Sequence, residues 1–174
     1  SSLLLYLRDC GADVSYYIPN RVGEGYGMSP SSVQKLADGG TSLIITVDTG
    51  ITAVEEAKLV SERGMTLIIT DHHECYQTLP DAYAIINPKR PDCSYPFKDL
   101  AGVGVVFKLL CALESIRYPE LSMGRCVQRV GRQYSDLVAI GTVADVMPIR
   151  DENRLIVSYG LSVMEMDARP GIVE

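Results

Sequence analysis

Two apolar runs, "SLIITVD" (42–48) and "MTLIITD" (65–71), each end at an aspartate and are separated by a stretch of helical period. Neither run alternates polar with apolar residues. Both are rich in isoleucine and leucine, as parallel strands covered on both faces are. Between them, "TAVEEAKLVSERG" carries Val54, Ala57, Leu59 and Val60 on one side and charges on the other, with Gly64 as the stop. The pattern is a β–α–β unit, whose crossover is right-handed. It restricts the chain to the α/β class: a parallel sheet with helices on both faces.

The unit extends in both directions. "VSYYIP" (14–19) is a third strand candidate and "AYAIIN" (82–87) a fourth. "SPSSVQKLADGG" predicts a helix with Ser29 as N-cap, Pro30 at the first position and Gly39 or Gly40 as the stop. "PKRPDCSYPFKD" (88–99) holds three prolines and reads as loop. A helix follows in "GVGVVFKLLCALESI", then a polar stretch with Arg125, Arg129 and Arg132. "YSDLVAIGTVADVMP" (134–148) reads as a buried helix with Asp145 near its end, and "NRLIVSYGLSVMEM" as another helix. The C-terminal part is therefore helical. Residues 2–10 read as a crossover helix whose leading strand lies outside the chain, because an α/β sheet does not ordinarily open on a helix.

Length places all 174 residues in one domain or most of one. No apolar stretch approaches the roughly 18 residues that span a bilayer, and the start lacks the basic flank of a signal peptide. No membrane partner is expected. Five cysteines, with no C-x-x-C spacing, read as free thiols of a reducing cytoplasm. The net charge of −6 argues against a broad basic footprint for nucleic acid. It leaves room for phosphate bound through cations, since carboxylates that hold metal are themselves negative.

In open α/β sheets, ligands sit beyond the carboxyl ends of the strands. Asp48 ends one strand, and Asp71, His72 and His73 end its neighbour; these are the only two histidines in the chain. Strands about 4.8 Å apart let groups at two strand ends share one small ion. Carboxylate with imidazole suits Mn²⁺, Fe²⁺ or Zn²⁺. Taken alone, Asp48 in "VDTGIT" is as readily an ordinary turn residue. The adjacent histidine pair after an aspartate points more strongly to a site. Side chains of adjacent residues are expected to diverge, one towards metal and the other towards substrate. A zinc site of His72, His73 and Cys75 matches no standard spacing. "AGVGVVF" (101–107) is a weak dinucleotide fingerprint, but its helix N-terminus offers amides for a phosphate through Gly102 and Gly104.

"VDTG", "TDHHE" and "GTVADVMPI", in this order, resemble motifs of the DHH phosphoesterase superfamily. "YYIPNRVGEGYGMS", "NPKRPDCSYPFKDLAGVGVVFKL" and "GTVADVMPIRDENR" resemble, more narrowly, the RecJ-type single-stranded-DNA exonucleases. The resemblance covers nearly the whole chain. It implies a Rossmann-like DHH domain and a phosphodiesterase with two metal ions, Mn²⁺ or Mg²⁺. It implies Asp48, His72 and Asp145 as metal ligands, with Asp48 bridging. His73 matches the histidine that faces the scissile phosphate, Asp71 its orienting neighbour, and Arg21 with the "GEGYG" loop the substrate side. It further implies 5′-to-3′ digestion of single-stranded DNA in repair or recombination, with a single-stranded-DNA-binding protein and a helicase as partners. The family's first motif, Asp-x-Asp-Gly-x-Thr, would sit on the strand before the opening helix. That motif and a C-terminal DHHA1-type domain fall outside the chain, and residues 150–174 would begin the connection to the latter. Three ligands cannot enclose two ions, so this stretch alone is expected to bind metal weakly and to have little nuclease activity. A small-nucleotide phosphodiesterase of the same superfamily and a non-catalytic nucleotide-binding module are the alternatives. A dehydrogenase is disfavoured, since no strand leads into G-x-G-x-x-G.

Overall fold

The structure, a computed structural model, describes residues 2–19, 27–167 and 169–173. The chain divides into two compact units, residues 16–98 and residues 1–15 with 99–174. No helix among the described residues is long and apolar enough to cross a membrane.

The first unit holds α2 (Pro30–Asp38), β1 (Leu43–Val47), α3 (Val54–Glu62), β2 (Thr66–Thr70) and β3 (Ala84–Ile86). The strands form a parallel sheet in the order β1-β2-β3. Val33 of α2, Ala57 and Val60 of α3, and Ile44, Leu67 and Ile69 of the sheet bury one another with Met65. Both helices begin and end as the sequence predicts. Ser29 and Ser32 close a capping box, each hydroxyl accepting from the other's amide, and Pro30 occupies the first turn. At the far ends Gly40 and Gly64 take positive φ of 77° and 70°. Each closes a Schellman turn, Gly40 and Thr41 on Ala37 and Leu36, and Gly64 and Met65 on Ser61 and Val60. Met65 is thereby delivered into the core as the chain turns into β2. The proline-rich run 88–98 is loop, clamped where Lys98 Nζ donates to the carbonyls of Pro88 and Cys93 at 2.6 and 2.8 Å.

Residues 14–19 form no strand, contrary to the expectation. An extended run becomes a strand only against a neighbour whose amides and carbonyls face it, and the described ladder ends at β1 and β3. Tyr16 and Ile18 are exposed there.

The second unit holds α1 (Ser2–Asp9), α4 (Gly102–Arg117), α5 (Met123–Ala144), α6 (Asp151–Asp167) and α7 (Pro170–Val173). The arginine-rich stretch is not a separate polar segment but the first half of α5. Cys126, Val130 and Tyr134 bury a stripe of helical period there, which the arginines between them conceal in the sequence. Arg129 bonds the buried Glu114 at 2.7 Å, and Tyr6 bonds the other oxygen of that carboxylate at 3.0 Å, tying α1, α4 and α5 together. α5 and α6 approach closely at two glycines: a Cβ on Gly131 would lie 2.8 Å from the Tyr159 ring, and one on Gly160 would lie 2.3 Å from the Ser135 carbonyl oxygen. The end of α5 is again a Schellman turn, with Val146 and Met147 donating to Val143 and Thr142. Here the left-handed position is Val146, at φ 55°, where a β-branched residue is strained.

Two outcomes follow for stability. Gly160→Ala forces the Ser135 backbone aside and is expected to cost about 3 kcal/mol, measured by urea denaturation. Val146→Gly relieves the left-handed strain and is expected to add about 1 kcal/mol by the same measurement.

Candidate metal centre

The parallel register brings the site together. Val47 pairs with Thr70, so the residues that follow, Asp48 and Asp71, leave the sheet side by side. The Asp48 amide still donates to the Thr70 carbonyl at 3.0 Å, one step beyond β1. The chain then turns at once. Asp48 adopts φ 64° and Gly50 φ 109°. Aspartate tolerates the left-handed region better than most residues do. Gly50 has no substitute, because a Cβ would meet Thr46 Oγ1 at 2.9 Å. The Asp-x-Gly turn and the candidate ligand are therefore the same feature: the turn aims the Asp48 carboxylate across the strand end, 3.0 Å from His72 Nε2.

Asp71 organises the neighbouring strand end from below. Its side chain is 1% exposed. One oxygen accepts from the Ile51 amide at 2.9 Å. The other accepts from the amides of His72 and His73, at 2.7 and 3.2 Å, and lies 2.7 Å from His73 Nδ1. Burial pushes its pKa up. The Ile51 amide, the His73 ring and the two histidine amides outweigh that and hold the carboxyl below the ordinary aspartate value. An ionised carboxylate only accepts, so His73 Nδ1 carries the proton. The His73 side chain is about half exposed.

Asp48, His72 and His73 each present a ligand atom, all within 4.8 Å of one another. The two imidazoles tilt together, with centroids 4.5 Å apart, rather than diverging as adjacent side chains of a strand do. The reason is that β2 ends at Thr70, so strand alternation no longer governs them. One carboxylate and two imidazoles fit a divalent transition metal such as manganese. A buried histidine beside a carboxylate also makes a plain hydrogen bond, and the pair at 3.0 Å satisfies that geometry as well.

Asp145 caps the C-terminus of α5 in the helical unit. Gly102 and Gly104 are buried in the first turn of α4, where Ala101 supplies no side-chain cap. A Cβ on Gly104 would lie 3.3 Å from Leu100, which gives that glycine a packing role of its own. Arg21 and residues 20–26 lie outside the described residues. Cys75 is not part of the cluster of ligand atoms. Asn87 was not anticipated. It is 3% exposed, follows β3 directly, donates to the His73 carbonyl at 2.9 Å and accepts from the Lys89 amide at 2.8 Å. The signal was available in "AIIN", a third apolar run ending in a polar residue at the same edge.

Asp71→Asn would set an amide NH₂ against a donor on one side or the other. It is expected to cost about 2–3 kcal/mol in urea denaturation, the penalty of a buried donor left unsatisfied.

Residues 1–142 match the family model described as the DHH family, N-terminal domain. The single-stranded-DNA-specific exonuclease RecJ of Bacillus subtilis is 48% identical over the whole of this chain, which spans 20% of that protein. Its namesake in Dickeya dadantii is 42% identical over 97% of this chain and 30% of its own length. A crystal structure of exonuclease RecJ bound to manganese superposes with a TM-score of 0.77, at 35% identity, over 92% of this chain and 38% of that one. The chain thus spans 20–30% of the length of these curated relatives. With its parallel sheet and with the aspartate and paired histidines at neighbouring strand ends, the chain belongs to the DHH family.

Proposed function

We propose that this chain carries part of the catalytic centre of a metal-dependent exonuclease acting on single-stranded DNA from its 5′ end. The observation that carries the reading is the meeting of Asp48, His72 and His73 ligand atoms at two adjacent strand ends. The RecJ relatives named above support the substrate, and the manganese-bound structure supports the metal. Asp48 and His72 hold the cation, with Asp145 as a further carboxylate ligand on the strength of the "GTVADVMPI" motif. The complete centre takes two ions, Mn²⁺ or Mg²⁺. When bound, such cations lower the pKa of water and stabilise in-line displacement at phosphorus.

The chain's own groups do the positioning. Asp71 keeps the proton on His73 Nδ1 and fixes the ring. His73 is the group that faces the scissile phosphate. Asn87 holds the His73 carbonyl and so stops the loop from rotating the ring away. Arg21, Gly102 and Gly104 contact substrate phosphates in this reading. The setting is DNA repair or recombination in the cytoplasm, alongside a single-stranded-DNA-binding protein and a helicase. The five free cysteines suit that compartment.

The test uses the full-length protein with Mn²⁺, on end-labelled single-stranded DNA and on a panel of dinucleotides. Long single strands are expected to be degraded in preference to dinucleotides; the reverse preference would move the protein to the small-nucleotide phosphodiesterases. Asp48→Ala and His72→Ala should each lower Mn²⁺ affinity by more than the roughly 10–100-fold that loss of an outer partner costs. Titration followed by electron paramagnetic resonance reads this directly, and unchanged affinity in both variants would remove the metal centre.

A further inference from the structure

A cavity of about 570 Å³ is lined by His73 but by neither Asp48 nor His72. Its walls come from Gly27 and Met28, from the Thr49–Ala53 turn after β1, from Glu56 on α3, and from Asp71, His73, Glu74 and Tyr76. All of these lie within residues 16–98. The volume exceeds that of a nucleobase and falls in the ordinary range of small-molecule sites.

The described lining is acidic, with Glu56, Asp71 and Glu74. Among the described residues, no lysine or arginine lines the cavity. The N-terminus of α3, which could have attracted an anion, carries its own Glu55 and Glu56 in the first turn. Glu74 is matched by Lys89 at 2.9 Å, and the Asp71 oxygens are taken up by four donors, so Glu56 is the carboxylate left to meet a ligand. What fits is a neutral, flat group that offers N–H donors. Met28, Ile51 and Ala53 give it an apolar floor, the Thr49 and Thr52 hydroxyls give adaptable hydrogen bonds, and Tyr76, 68% exposed, gives an aromatic face at the rim.

We propose that this cavity receives the base of the terminal nucleotide whose phosphate faces His73, stacked on Tyr76 and with its exocyclic amino group on Glu56. The inference rests on the exonuclease reading above and deepens it. The charged backbone then stays with the cations, and the neutral base sits among the cavity's carboxylates. Adenine and cytosine carry an exocyclic amino group and thymine does not, so the pocket prefers the former.

The test uses the full-length enzyme with Mn²⁺ on single strands identical except at the attacked terminal nucleotide, which bears adenine, cytosine, thymine or no base. In the unaltered enzyme, removing the base is expected to lower kcat/KM about tenfold, as loss of a base–aromatic stack does. In Tyr76→Ala that penalty should shrink to about threefold or less. In Glu56→Gln the preference for adenine and cytosine over thymine should vanish. Mn²⁺ affinity, read by electron paramagnetic resonance, should be unchanged in both variants, which separates a lost base contact from a damaged metal centre. Absence of any abasic penalty in the unaltered enzyme, or a full penalty persisting in both variants, would overturn the pocket while leaving the exonuclease reading intact. Failure of the full-length protein to degrade any of these strands would overturn both.

Discussion

The Asp71 carboxylate is removed from water and must be compensated in place. Burying an ionised carboxylate costs several kcal/mol unless hydrogen bonds replace its hydration. Three backbone amides and one imidazole do so here. Those four donors lie on two different chain segments, the Thr49–Ala53 turn after β1 and the histidine pair after β2. Satisfying one side chain therefore fixes the turn that carries Asp48, the backbone of both histidines and the tautomer of His73. The rest of the candidate centre depends on this single buried charge.

Around it, the sheet supplies position and the turns supply direction. Parallel pairing sets Asp48 beside Asp71 without any side-chain contact, since register alone determines which residues leave the sheet together. Direction comes from backbone conformations that few residues tolerate, φ 64° at Asp48 and φ 109° at Gly50. Asn87, leaving the third strand at the same edge, braces the His73 carbonyl. Three consecutive strand ends thus converge on one loop. This is the arrangement that places ligands beyond the carboxyl edge of a parallel sheet.

Helix ends show the same economy with a different outcome at one position. α2 and α3 finish in Schellman turns with glycine at the left-handed residue, and both stops were legible from glycine alone. α5 finishes in the same turn with Val146, immediately after Asp145, and Val146 is 87% exposed. Exposure means that packing does not hold the valine there. Its strain lies next to a candidate ligand, a kind of position where strained backbone recurs.

Local patterns carried far into the structure. The apolar runs, the capping serine, the stopping glycines and the proline-rich loop all depend on residues close in the chain, and their physics is local. Where several interactions compete, locality failed. "VSYYIP" has the composition of a strand but joins no ladder among the described residues, and the arginines of α5 masked an apolar stripe that becomes visible only when Cys126, Val130 and Tyr134 are seen buried together. Adjacency alone predicts that the two histidine side chains diverge, but past the end of β2 strand alternation no longer separates them and the rings come together. By itself the sequence determined the parallel β–α–β frame, the residue types gathered at its edge and the turns that end its strands, because period, φ preference and donor chemistry belong to individual residues. Only the tertiary structure decided that Asp71 is the hub, that Asn87 braces His73 and that His73 lines a cavity. Those are facts of register and burial, and they arise from which distant segments share a hydrogen bond once water has been excluded.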